Sequence, residues 1–220
     1  MKEYRRMWNH KKTFVYFAFP KCGSEWVRAA LNLEWKNNYK ENDWDACDMS
    51  YCHVRPLRFI KHYAHIKCVT LVRNTYERLV SAWNYGVQKQ FDYVMVYDER
   101  HKNKKKKKRT LTFSEFIDRI YENRENFENI PMFWMILPVE RYFEGVLDRI
   151  TFFKIEDENN HGSFSCFLKE MGENPEVLKK EGLPKNSMKH EPHTCYYTDD
   201  IKGKVDAVYA YEIKRFGYKL

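Results

Sequence analysis

The chain has 220 residues, of which 43% are hydrophobic and 17% aromatic, and its formal net charge is +8 at pH 7. This composition excludes a disordered chain. It favours one globular domain, residues 1–220, with an anionic partner such as a nucleotide, a polyanionic glycan, nucleic acid or a membrane surface. We expect no transmembrane segment and a cytoplasmic location, because no apolar run is long enough for a signal peptide or a membrane span.

The first patterned segment, Phe14–Phe19, has the length and composition of a buried strand. A tight turn at Pro20–Gly23 follows, and a helix is predicted to begin at Ser24, with Trp26 on its apolar side. A strand that enters a helix through such a turn directs backbone N–H groups and the positive end of a helix dipole at one point, as in phosphate sites. Lys21 adds a mobile charge. The alternative is an ordinary strand–helix turn with a surface lysine.

A second strand is predicted at Ile66–Val72, and it delivers Arg73 to its carboxyl end. Ligands of open parallel sheets bind at that edge. The following helix has the apolar stripe Tyr76, Val80, Trp83 and Val87. Ser81 lies one to two turns into this helix, where its hydroxyl could share an anion with Arg73. The structural alternative is that Arg73 pairs with Glu77.

The rest of the chain continues the alternation of strands and helices. Residues 101–109 form a run of like charge that we expect to be a mobile polylysine loop. Thr112–Glu115 is a capping box for a helix with Phe113, Phe116, Ile117 and Ile120 on its core face. A third strand is predicted at Ile150–Ile155, then a helix ended by Gly172 and one last helix with Val205, Val208, Tyr209, Ile213 and Phe216. The pattern predicts a single three-layer α/β domain, a parallel sheet with helices on both faces.

Two strand-end anion sites suggest a ligand with two separated phosphates, and three motifs point to a family. Pro20–Trp26 is similar to the loop that holds the 5′-phosphosulfate in sulfotransferases that use 3′-phosphoadenosine 5′-phosphosulfate (PAPS). Arg73–Ser81 closely resembles the 3′-phosphate motif of these enzymes, and Tyr51–Arg55 resembles the segment that carries the catalytic histidine. Looser matches lie at Leu137–Phe143 and Tyr196–Tyr218. The likeness is to the carbohydrate branch related to the heparan sulfate 2-O-sulfotransferases.

This resemblance implies a P-loop-like strand–loop–helix and sulfuryl transfer from PAPS to an acceptor hydroxyl, with PAP as by-product and no metal. Lys21 and His53 would be catalytic, with His53 as the general base. Arg73 and Ser81 would hold the 3′-phosphate. The 5′-phosphate would be held by Lys21, Cys22, Gly23, Ser24, Glu25 and Trp26. The acceptor hydroxyl would belong to a carbohydrate in the first place, such as an anionic glycan, with a small molecule or a protein tyrosine as open alternatives, and no nucleic acid partner is expected.

The sequence departs from the family at two positions. Glu25 stands where the family usually has Thr or Ser, and a carboxylate there should repel the 5′-phosphate unless a base such as Arg28 pairs with it. Thr75 replaces a usual proline, which is a milder change.

Several alternatives stay open. The base could instead be His62, His65, Glu34 or Glu41. The Lys104–Lys108 run is either a solvated loop or a binding segment for a sulfated or carboxylated glycan. The chain could also be a nucleotide kinase of related P-loop fold, although its lysine precedes the glycine, or a catalytically weak module that binds a polyanion or PAP.

Overall fold

The structure is a computed structural model that describes residues 13–31, 66–88, 111–130, 133–160, 162–180 and 191–220. Several predicted features lie outside these ranges: His53, the other base candidates and the 101–109 run. The chain divides into two compact units, Met1–Arg73 with Val139–Ser187 and Asn74–Pro138 with Met188–Leu220. We call them the first and second units and describe each by itself.

The described residues contain three strands, each followed in sequence by one or more helices. The strands are β1 (Phe14–Tyr16), β2 (Lys67–Val72) and β3 (Ile150–Lys154). The helices are α1 (Ser24–Ala30), α2 (Thr75–Gln88), α3 (Phe113–Glu122), α4 (Val139–Tyr142), α5 (Ser163–Glu170), α6 (Glu176–Lys180), α7 (Asp199–Val208) and α8 (Ala210–Phe216).

The sheet of the first unit contains all three strands in the order β1-β2-β3, and both pairings are parallel. Tyr16 pairs with Val69, and Val72 pairs with Lys154. Strand β1 is shorter than the predicted strand Phe14–Phe19, because regular pairing ends at Tyr16. Even so, the Phe17 N–H still donates to the Val69 carbonyl at 2.8 Å. The predicted parallel sheet with helices is therefore confirmed, as a three-stranded sheet.

Aromatic rings cover both sides of this sheet. Because successive residues of a strand face opposite sides, Phe152 and Phe153 point to different faces. The Phe153 ring lies 5.3 Å from both Phe164 and Phe167 of α5, whereas the Phe152 ring lies 5.3 Å from Phe143, just after α4. This covering agrees with the apolar sequence of β2, which is buried from Cys68 to Val72, whereas Thr151 of β3 is exposed.

A capping box at Thr112 and Glu115 determines where α3, a helix of the second unit, begins. The Glu115 N–H donates to the Thr112 hydroxyl at 3.3 Å, and the Thr112 N–H donates to the Glu115 carboxylate at 2.9 Å. This reciprocal pair is the predicted capping box. The four predicted core residues of α3 are all buried: Phe113, Phe116, Ile117 and Ile120.

The prediction of one continuous last helix is wrong. This segment forms two helices, α7 and α8, which are separated at Tyr209. The Tyr209 backbone has φ −111° and ψ 23°, which departs from helical geometry. Its side chain is fully buried, and its hydroxyl donates to the Ile136 carbonyl at 2.7 Å. This anchor holds Tyr209 at the break. The predicted core residues Val208 and Ile213 are only half-buried, while Glu212 is buried.

Candidate functional site

The turn between β1 and α1 has an unusual backbone. Lys21 has φ 62° and Gly23 has φ 73°, and Lys21 is the only non-glycine residue with positive φ in the described ranges. A left-handed conformation costs an ordinary residue roughly 1–2 kcal/mol, so the surrounding structure must hold Lys21 there. Between the two residues, Cys22 is fully buried and its thiol lies 3.4 Å from the Pro20 carbonyl. The Cys22 side chain thus anchors the turn while Lys21 stays half-exposed.

The Gly23 position is crowded as well as left-handed. A Cβ atom at this position would lie 2.6 Å from Ile155 Cδ1, at the residue that follows β3. The Gly23 carbonyl accepts from the Val27 N–H at 3.1 Å, so α1 begins at Ser24 as predicted. Trp26 fixes the helix further along, since its indole N–H donates to the Leu178 carbonyl of α6 at 2.8 Å. The side chains of Glu25 and Arg28 lie outside the described part of the chain.

Arg73 lies at the same edge of the sheet as this turn. It directly follows β2, and its side chain is half-buried. Because β1 and β2 are adjacent and parallel, the Lys21 turn and Arg73 both follow the carboxyl ends of neighbouring strands. The structure therefore brings two of the predicted anion-binding residues to one edge within the first unit. This is the location at which open parallel sheets bind ligands.

Sequence reasoning missed a third basic residue at this edge. Lys154 is the last residue of β3, and it is the register partner of Val72, the residue before Arg73. Its signal was the same as that of Arg73, a basic residue at the end of a buried strand. The sequence pattern identifies Lys154 only as part of the third predicted strand.

Ser81 belongs to the second unit, where it lies on α2 with 9% of its surface exposed. Asn74 immediately precedes α2, and its side-chain oxygen accepts from the Tyr76 N–H at 3.0 Å. Asn74 also donates through Nδ2 to the Lys219 carbonyl at 2.8 Å, which fastens the last residues to this helix end. One turn before Ser81, Glu77 Oε1 lies 3.4 Å from His193 Nδ1.

The shifted pKa values in the described residues have structural causes. Burial raises the pKa of Cys68 on β2 to about 11, and the charge of Arg149 lowers it only in part. Burial is also the largest cause of the raised pKa of Tyr197. Burial, followed by a hydrogen bond to Asp206, raises the pKa of Tyr76. These protonated groups pack the interior and are poor proton acceptors near neutral pH.

The described ranges hold no group of three or more His, Cys, Asp or Glu residues that could bind a metal ion. No helix in those ranges is both long and apolar enough to cross a membrane.

Comparisons with protein-family models, with curated proteins and with solved structures give no match to this chain. Any function must therefore be argued from the chain's own residues and their geometry.

Proposed function

We propose that this protein is a sulfotransferase that moves the sulfuryl group of PAPS to a hydroxyl group of a carbohydrate. The observation that carries the proposal is the basic edge of the first unit. There, the left-handed Lys21–Gly23 turn after β1 lies beside Arg73 after β2. Backbone N–H groups of such a turn and a nearby guanidinium are the donors that phosphate groups prefer.

The donors at this edge contact different parts of PAPS. Lys21 and the backbone of Cys22–Trp26 hold the 5′-phosphosulfate, with β1, the turn and α1 acting as a P-loop-like unit. Arg73 holds the 3′-phosphate through its fork of N–H groups. The resemblance of Arg73–Ser81 to the family motif is the sole basis for assigning Ser81 to the same phosphate. The ring contacts on both sides of the sheet support a three-layer arrangement for the domain.

The reaction is an in-line displacement. The acceptor oxygen forms a bond to sulfur while the bond between sulfur and the bridging oxygen of the 5′-phosphate breaks, and PAP leaves. Lys21 neutralises the negative charge that develops on that bridging oxygen. His53 takes the proton of the acceptor hydroxyl; this role comes from the resemblance, because His53 lies outside the described residues. No step in this scheme requires a metal ion.

A thermal-shift panel tests the proposed cofactor. PAP, AMP, NAD and ATP with and without Mg²⁺ are added separately, and the melting temperature is measured. A ligand at one hundred times its Kd stabilises the folded protein by roughly 2.7 kcal/mol. We expect the largest shift with PAP. A larger shift with Mg²⁺-ATP would favour a nucleotide kinase instead.

Turnover is then measured as release of PAP from PAPS with a panel of glycans, proteins and small hydroxyl compounds. Transfer to a glycan supports the proposal. A protein that binds PAP tightly but transfers sulfuryl to none of the glycans, proteins or small hydroxyl compounds would be a binding module, and the assigned activity would be wrong.

A further inference from the structure

The carbonyl of Phe17 marks the point at which the chain leaves the sheet for the turn after β1. Phe17 is fully buried, and its carbonyl accepts from the Thr70 hydroxyl at 2.7 Å. The same carbonyl accepts from the Phe19 N–H at 2.9 Å, which is the hydrogen bond of a three-residue γ-turn. The Thr70 hydroxyl therefore binds the main chain at the residue where the chain changes direction.

Both main-chain groups of Phe17 are bound by consecutive residues of β2. Its N–H donates to the Val69 carbonyl at 2.8 Å, and its carbonyl accepts from Thr70, although the regular pairing of β1 has ended at Tyr16. The Thr70 hydroxyl also lies 3.3 Å from the Leu71 carbonyl. Because a hydroxyl has a single proton and 2.7 Å is a normal O–H···O distance, we assign its hydrogen bond to Phe17.

The residue type at position 70 needs a reason, because Thr70 is fully buried. Every residue of β2 from Cys68 to Val72 is buried, and Thr70 has the only hydroxyl group among them. A valine has nearly the same shape and would bring no polar group into the interior. The bond to the Phe17 carbonyl satisfies the hydroxyl and gives it a task, which is to hold the chain where it leaves β1.

The segment between Phe17 and the turn can transmit this restraint. Phe19 is buried, and its ring lies 5.1 Å from the Tyr142 ring in the same unit. Pro20 has a fixed φ, and Lys21, with φ 62°, follows directly. A left-handed residue persists only where the surrounding structure holds it. The segment that ends at Pro20 supplies this support on the amino-terminal side of the turn.

We propose that Thr70 is a positioning residue for the turn that holds the 5′-phosphosulfate of PAPS. Its hydroxyl fixes the Phe17 carbonyl, and with it the point at which the chain enters the Lys21–Gly23 turn. The backbone N–H groups of that turn then keep the direction in which they meet the 5′-phosphate. This inference rests on the proposed function. It assigns to β2 a residue that acts on the 5′-phosphate, whereas Arg73, after the same strand, is assigned to the 3′-phosphate.

Calorimetric titration tests the inference with PAP and with adenosine 3′-monophosphate, which lacks the 5′-phosphate. The second ligand is measured by its competition, with PAP titrated into protein that contains an excess of it. Thr70→Val removes the hydroxyl at nearly constant shape. We expect it to weaken PAP binding roughly tenfold, because the N–H groups of the turn lose their alignment, and to leave the affinity for adenosine 3′-monophosphate unchanged. Thr70→Ser, which retains a hydroxyl, should recover most of the PAP affinity.

The matched control is Tyr209→Phe. The Tyr209 hydroxyl also donates to a main-chain carbonyl, that of Ile136, at 2.7 Å, and Tyr209 is as fully buried as Thr70. Tyr209 belongs to the second unit, and the proposed function gives it no ligand contact. Both substitutions should lower the melting temperature, but only Thr70→Val should weaken PAP binding. If Thr70→Val does not fold, Thr70→Cys replaces it, because a thiol is a much weaker donor than a hydroxyl.

The outcomes separate the inference from the proposed function. If the wild type binds PAP and Thr70→Val binds it equally well, the inference is wrong and the proposed function stands. Equal losses for PAP and adenosine 3′-monophosphate would also overturn the inference, because Thr70 would then support the sheet as a whole. The same holds if Tyr209→Phe weakens PAP binding as much as Thr70→Val does. If the wild type does not bind PAP, the proposed function is wrong and the inference falls with it.

Discussion

Arg78 Nη2 lies 2.9 Å from Glu212 Oε1, and each of the two side chains is only 1% exposed. The same carboxylate oxygen accepts from the Thr75 hydroxyl at 2.7 Å. Arg78 also donates through Nη1 to the carbonyls of Met135 and Leu137, each at 3.3 Å. The second arginine of the Arg73–Ser81 motif is therefore part of the interior of the second unit. The motif thus contains two arginines with different roles: Arg78 stabilises the interior of the second unit, and Arg73 is assigned to the ligand.

We predict that Glu212→Gln lowers the free energy of unfolding by roughly 3–5 kcal/mol, because it leaves a buried guanidinium without its counter-charge. Urea denaturation measures the change. The control is Asp200→Asn, which makes the same chemical change at a carboxylate that pairs with Lys204 and is 70% exposed. It should cost less than about 1 kcal/mol. Equal effects of the two substitutions would contradict the assigned role of the buried pair.

A second prediction concerns the turn after β1. Gly23→Ala should destabilise the protein by more than the roughly 1–2 kcal/mol of a left-handed alanine, because its new methyl group meets Ile155. Gly217→Ala is the control, since Gly217 has a similar φ of 65° and no atom within 4 Å of the added Cβ. Adding Ile155→Val to Gly23→Ala should recover part of the loss, because valine lacks the Cδ1 atom. Thermal or urea unfolding of the four proteins gives the comparison, and identical losses at the two glycines would refute the contact.

The third prediction follows from the buried thiol of Cys68. Its pKa in the folded protein is about 11, whereas the ordinary value is 9.0. Between these pH values the unfolded chain loses its proton first, so stability falls as pH rises from 9 to 11. Two pKa units correspond to at most roughly 2–3 kcal/mol. Urea unfolding of the wild type and Cys68→Ala should therefore give a stability difference that is constant below pH 9 and shifts in favour of the variant above it.

The difference between the two proteins isolates the thiol. Tyr76 and Tyr197 also have raised pKa values and are present in both proteins, so their contributions cancel. A stability difference that stays the same from pH 8 to pH 12 would show that Cys68 ionises as readily in the folded protein as in the unfolded chain.

Much of the fold followed from local sequence patterns. The apolar run at β2 is a buried strand from Cys68 to Val72, whereas β3 is only partly buried. Thr112 with Glu115 starts α3 because both capping groups lie within one turn. The turn at Lys21 was predicted from its strand–turn–helix pattern. Residue types alone located these features, because each depends on interactions between residues close in sequence or on simple burial.

Other features depend on partners far along the chain. The buried Arg78 side chain pairs with Glu212, which is 134 residues away in the sequence. A local sequence pattern cannot predict that pairing. The break at Tyr209 depends on a hydrogen bond to Ile136, so helical spacing alone predicted one continuous helix. The pairing of Val72 with Lys154 depends on strand order. Sequence reasoning identified strands but could not say which were neighbours.

The fourth prediction tests the assigned base. His53→Ala should reduce sulfuryl transfer by about 10²–10⁴-fold, because the acceptor hydroxyl loses its proton acceptor. PAP affinity should stay close to that of the wild type, since the resemblance gives His53 no phosphate contact. Steady-state kinetics and PAP titration are measured on the same preparation. If His53→Ala remains active and Glu34→Gln does not, a carboxylate is the base and the assignment of His53 is wrong.

The central claim, that the carboxyl edge of the sheet binds PAP, is tested most directly by calorimetric titration of PAP into the wild type and Arg73→Ala. Arg124→Ala is the control, because Arg124 is an exposed arginine in the second unit that contacts Tyr121. The account predicts that Arg73→Ala binds PAP about ten- to a hundredfold more weakly, which corresponds to the loss of a charge-assisted contact of roughly 1.5–3 kcal/mol. Arg124→Ala should match the wild type. Equal PAP affinity in the wild type and Arg73→Ala, or no PAP binding by the wild type, would contradict the claim.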